Sequence, residues 1–158
     1  MAQSSGFDMS KVSTADKILA VGGLLFFLDT IVLHWQGACA NVGVFGKFCV
    51  GVSAWSGSAS FLGVLAGLCA IALTAWIVVA ALGVNLGTLP SGQITLGLIG
   101  ATVGLGLLKF LFSAFNHGQI GAWIGLILLL GIAYGGYMKM QEPKAATPPP
   151  ATGGGFTA

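Results

Sequence analysis

The chain has 158 residues, of which 56% are apolar, only 6% are charged and 26 are glycine, with a net charge of +2. A soluble domain carries about a quarter charged residues, so these few charges cannot clothe a water-facing surface and lipid must solvate most of the chain. The weak, scattered positive charge excludes a nucleic-acid interface, which needs a clustered basic face. Arginine is absent from the sequence, which removes the bidentate clamp for phosphate or carboxylate ligands.

Residues 1–14 read as a polar tail that leads into a helix start. Ser13 can cap, and Asp16 three residues later suits a helix N-terminus. The first apolar run is Ile18–Trp35, and Lys17 can snorkel to the interface beside it. This run also permits a rival reading as a secretory signal, with Ala38-Cys39-Ala40 as an Ala-x-Ala cleavage site. A signal core spans about 7–15 apolar residues. This run is longer and carries a late aspartate, so retention as a helix is the reading adopted.

Residues 36–60 form the longest connection, rich in Gly, Ser, Ala and Phe. The second run is Phe61–Val84, followed by the uncharged, turn-rich stretch Asn85–Gly92. The third is Ile94–Phe115, interrupted only by Lys109, and the tight turn Asn116–Gln119 leads into the fourth, Ile120–Met138. A Pro/Gly-rich tail over 141–158 has too little apolar surface to offset its ordering entropy and is expected to be disordered. The pattern predicts an all-α integral membrane protein, a four-transmembrane-helix bundle over 15–140 with helices at about 15–35, 59–84, 94–115 and 119–139.

Orientation follows from the lysines near the helix ends. Lys11, Lys17, Lys139 and Lys144 lie on the side of the termini and Lys47 alone lies opposite, so both termini are expected to be cytoplasmic. Trp35, Trp55 and Trp123 then fall at the outer boundary, with Tyr134 and Tyr137 near the inner one, as aromatic belts require.

Within this frame Asp29 is the only acidic residue inside an apolar run, and a carboxylate there usually has a partner or a purpose. Asp29 lies six residues before Trp35 and Lys109 lies six before Phe115, so both sit roughly 9 Å below the outer boundary. Equal depth predicts an intramembrane ion pair that pins helix register. Two alternatives stand beside it: Lys109 snorkels out while Asp29 sits in a hydrated vestibule, or Asp29 handles a transported proton or ion.

Cys39 and Cys49 share a loop expected to face outward, where a disulfide would close a short ring. Cys69 reads as packing filler. His34 and His117 both fall at the outer rim, near water rather than in the bundle core. With too few ligands to complete a zinc site, no metal or cofactor is expected. Trp76 lies deep in the second run, where its indole N–H needs a partner such as a backbone carbonyl or Thr74.

Small-xxx-small pairs recur at Gly63/Gly67, Gly100/Gly104, Gly121/Gly125 and Gly131/Gly135. They let helix backbones approach closely where lipid supplies no hydrophobic drive. Four pairs exceed what a minimal bundle needs, so a homo-oligomer or another membrane protein is expected as partner beside the bilayer, with the fourth helix as the leading contact face.

The layout Phe27-Leu28-Asp29-Thr30, then Trp55-Ser56-Gly57, then a small-residue second helix through Trp76 resembles small four-helix membrane proteins of unknown function from Gram-positive, high-GC bacteria. The resemblance implies a fold and no activity. No nucleophile–base pair or metal set is visible, so the expected function is non-enzymatic. It is a structural or accessory subunit of the plasma membrane that associates through glycine-rich helix faces. The alternative is a small transporter or channel component that uses Asp29.

Overall fold

The computed structural model describes residues 12–41, 43–84, 91–115 and 119–142. The expected tails fall almost wholly outside that range. Four helices are joined to one small hairpin: α1 (Thr14–Val32), β1 (Gln36–Asn41), β2 (Lys47–Val52), α2 (Ser60–Ala81), α3 (Ser91–Phe115) and α4 (Ile120–Gln141). Three helices are long and apolar enough to cross a membrane, with mean hydropathies of 2.5 over Ser60–Ala81, 1.9 over Gly92–Phe115 and 1.7 over Ile120–Gln141. α1 is not among them, and its 19 residues include Asp16, Lys17 and Asp29.

The start of α1 follows from its residues. Ser13 Oγ accepts a hydrogen bond from the Asp16 amide at 3.1 Å and donates to the Asp16 carboxylate at 2.9 Å, so cap and first-turn acid satisfy each other. Its end comes three residues before the expected Trp35. Leu33 turns extended, with φ −88° and ψ 150°, and Trp35 donates its amide to the Val52 carbonyl at 2.9 Å. The chain leaves the helix to start a sheet.

That sheet is an antiparallel pair in register from Gln36↔Val52 to Asn41↔Lys47. Gly43 and Gly46 take φ of 59° and 83° at its turn, a conformation that glycine adopts without steric strain. The register sets Cys39 opposite Cys49, the two residues of the expected disulfide, whose side chains lie outside what the structure describes. Backbone pairing closes the hairpin.

α1 packs on α2 and α4, and α3 packs on the same two helices. α1 and α3 therefore face each other across the bundle diagonal. The core runs along the axis through Leu19, Phe26, Trp35, Ala66, Leu73, Ile99, Leu129 and Ile132. Outward faces are also apolar, with Val21, Val32, Ile127 and Leu130 each more than half exposed. Such a surface suits lipid rather than water.

The glycines divide into two sets. A methyl group at Gly63 would collide with the Ala54 carbonyl, one at Gly121 would stand 2.6 Å from the His34 carbonyl oxygen, and one at Gly125 would strike Trp35. Gly67 lies against Thr30 and Trp55, and Gly135 against Leu19. By contrast Gly100, Gly104 and Gly131 have open space where a side chain would be. The expectation that α4 carries the free glycine face is thereby corrected. Three of its four paired glycines are filled from within the chain, because the α1–β1 corner and α1 itself press on them.

Candidate functional site

Asp29 and Lys109 are both buried, with 4% and 0% exposure, and each takes a neutral partner. Asp29 Oδ2 accepts from the Trp35 indole Nε1 at 3.0 Å. Lys109 Nζ donates to the Ser58 carbonyl at 2.7 Å. The expected ion pair between them is not formed: among the described residues the ion pairs are those of Lys139 with Asp16 and with Glu142. Geometry explains the difference. α1 and α3 are diagonal, and Phe26 and Leu129 close over Gly106, one turn of α3 below Lys109. Apolar side chains fill the axis that the pair would have to cross.

The two partners bracket the hairpin in sequence, Trp35 immediately before β1 and Ser58 just after it. Neighbouring bonds reinforce both ends. Trp55 Nε1 donates to Thr30 Oγ1 at 3.2 Å, and Thr30 Oγ1 in turn donates to the Phe27 carbonyl at 2.7 Å. Gln36 Oε1 accepts from the Ser58 amide at 3.0 Å. The Gln119 amide donates to the Trp35 carbonyl at 3.1 Å, and the Gly121 amide to the His34 carbonyl at 3.0 Å. The hairpin is thus fastened to α1, α3 and α4 at once. Its own surface stays open, with Val44, Phe48 and Val50 exposed.

Among the described residues three buried side-chain oxygens have no hydrogen-bond partner: Asp29 Oδ1, Thr102 Oγ1 and Ser113 Oγ. Buried polar atoms are nearly always paired, so each one asks for an explanation. Thr102 and Ser113 belong to a buried polar row on α3, Thr95, Thr102, Lys109 and Ser113. Sequence reasoning found only its lysine. The signal was present, because steps of seven, seven and four residues keep one helix face, but hydroxyls in an apolar run attract less notice than a charge.

Asp29 also lies on an apolar groove of about 410 Å³ between α1 and α4, walled by Leu25, Leu28, Val32, Leu33, Ile124 and Leu128. At the opposite end of the bundle Lys139 Nζ stands 2.9 Å from Asp16 and 2.8 Å from Glu142. Beside it is a smaller pocket of about 210 Å³ that includes Trp76 and Thr95. The Trp76 indole donates to Thr95 Oγ1 at 3.1 Å, whereas Thr74 Oγ1 donates to the Ala20 carbonyl at 3.2 Å and so joins α2 to α1. Lys139 holds the Glu142 carboxyl below its ordinary range through a hydrogen bond, with a further bond from Ser13.

The remaining expected residues are not assembled into a site. His34 packs over Gly51, Cys69 is a half-buried free thiol on α2, and His117 lies outside the described residues. Among the described residues no three His, Cys, Asp or Glu side chains gather as a metal site. No protein-family model matches the sequence, no curated protein matches it, and no solved structure matches its fold.

Proposed function

We propose that this chain is a non-catalytic accessory or structural subunit of the plasma membrane, with four spans and both termini cytoplasmic, that associates laterally with a second copy of itself. The fourth span is α1. Its 19 residues reach roughly 28 Å at 1.5 Å per residue, close to the hydrocarbon thickness. It packs against both α2 and α4, so it shares their environment. The excess of lysines on the terminal side supports the orientation.

The observation that carries the association is the open glycine pair on α3. Gly100 and Gly104 meet nothing within 4 Å, and together with Gly136 of α4 they floor a groove of about 480 Å³ between the two helices. A small-xxx-small pair on a lipid-facing groove lets a second helix approach to backbone contact. The test is crosslinking in native membranes. Wild type gives a dimer or higher species, Gly100→Leu with Gly104→Leu abolishes it, and Gly131→Leu, on open surface away from the groove, leaves it intact. A wild-type chain trapped only as monomer would sink the reading.

A transport role is the second reading, favoured by one observation. Lys109 does not neutralise Asp29, whose Oδ1 stays without a partner. Intact ion or proton flux in vesicles that carry Asp29→Asn would dismiss it.

A further inference from the structure

We infer that Asp29 and the α1–α4 groove above it form a binding site for a lipophilic organic cation. The argument starts from the two oxygens of one carboxylate, which have different fates. Oδ2 is engaged by the Trp35 indole, while Oδ1 is buried and unpartnered. The first fixes the side chain's position, and the second leaves an unused acceptor on a carboxylate that lines a groove whose other walls are aliphatic.

The chemistry of that groove selects the ligand class. A lone acceptor oxygen repels phosphates and carboxylates and attracts a positive charge. A small metal ion is excluded, because it needs several oxygen ligands to replace its hydration shell, and among the described residues no acidic or histidine cluster surrounds Asp29. An organic cation is weakly hydrated and brings its own apolar body for Leu28, Val32 and Leu128 to cover. The groove volume of about 410 Å³ falls in the range of small-molecule sites. Leu25, Leu28 and Val32 are exposed on the bundle surface, so entry is from the side, out of the lipid phase.

Among the described residues no cation of the protein fills the site. Lys109 is committed to Ser58 and Lys139 to Asp16 and Glu142. A second copy therefore offers Asp29 no buried lysine either. The inference rests on α1 lying in the bilayer and is independent of association through Gly100 and Gly104.

The test uses the full chain in phosphatidylcholine nanodiscs with tetraphenylphosphonium as probe. Saturable binding above that of empty nanodiscs is expected, weakened about 10- to 100-fold in Asp29→Asn and largely kept in Asp29→Glu. Asparagine still offers Trp35 an acceptor oxygen, so indole fluorescence should be unchanged and report that the fold survives. Binding equal in wild type and Asp29→Asn, or binding no better than to empty nanodiscs, overturns the inference. If Asp29→Asn does not fold, the wild type decides. Dicyclohexylcarbodiimide, a lipid-soluble carboxyl reagent, should label Asp29, and tetraphenylphosphonium should protect it. Labelling without protection, or no labelling, overturns the inference as well.

Discussion

Trp35 is folded back onto Asp29, six residues earlier. The indole is wholly buried, donates to Oδ2 at 3.0 Å, and meets Phe26 edge to face with ring centroids 6.1 Å apart. The hydrogen bond and the packing separate by mutation. Trp35→Phe keeps most of the packing and removes the N–H, leaving the carboxylate without a donor, and should cost about 2 kcal/mol. Trp35→Ala removes both and should cost about 3–5 kcal/mol. Denaturant unfolding in detergent micelles measures the difference, and equal losses in the two variants would refute the role given to the indole.

A charge-swap series gives a sharp outcome because Asp29 and Lys109 do not touch. Asp29→Lys and Lys109→Asp should each lower the yield of folded protein, and the double swap should not restore it. Each new side chain would face the other's neutral partner, the Trp35 indole or the Ser58 carbonyl. In a double-mutant cycle with Asp29→Asn and Lys109→Met the coupling should stay within about 0.5 kcal/mol, as for independent sites. Rescue by the double swap would show that the pair forms after all.

The two glycine sets should respond with opposite signs to the same substitution. Gly63→Ala or Gly121→Ala drives a methyl group into a carbonyl of the hairpin segment and should destabilise by about 1–3 kcal/mol. Gly131→Ala places a methyl group in open space on α4 and should stabilise by about 0.5–1 kcal/mol through helix propensity. Melting temperatures of the purified variants decide the matter.

Ala59 precedes α2 in the left-handed conformation, with φ 54°, which costs an L-residue roughly 1–2 kcal/mol. The neighbouring Ser58, held by Lys109 and Gln36, keeps the chain there. Ala59→Gly should relieve the strain and raise stability by about 1 kcal/mol, the unfolded-state entropy of glycine offsetting part of the gain. A fall in stability would show that the conformation is not strained.

Glu142 gives a small acid-side dependence. Its carboxyl lies below its ordinary value of 4.5 because Lys139 and Ser13 hydrogen-bond it. The stabilisation is therefore complete above pH 4.5 and is lost as pH falls through the lowered folded value. The group is partly exposed, which limits the effect to under about 1 kcal/mol. Glu142→Gln should reduce the loss of stability seen on acidification below pH 4.5, and an unchanged acid limb would refute the contribution.

The helices were legible because long apolar runs broken by turn residues leave few other readings. The hairpin was not. β1 is Gln-Gly-Ala-Cys-Ala-Asn, too small and polar to show strand alternation, and the Phe48-Val50-Val52 rhythm of β2 is too short to stand out in a glycine-rich connection. Within the site, Asp29 and Lys109 stood out as rare charges among apolar neighbours. Their partners did not, for physical reasons. One is an indole beyond the end of the helix, reached only because the chain turns at Leu33. The other is a backbone carbonyl, which no residue type announces. Similar depth along two helices does not say which helices adjoin.

The segment from Trp35 to Ser58 acts as a strap across one mouth of the bundle, buckled at α1 through Asp29 and at α3 through Lys109. Those helices occupy opposite corners, so the strap is the mechanical tie between elements that barely meet. A tug on the exposed hairpin tip is delivered to both corners together, and to α4 through the His34 and Trp35 carbonyls. Whatever touches this protein from the hairpin side grips the bundle by its diagonal.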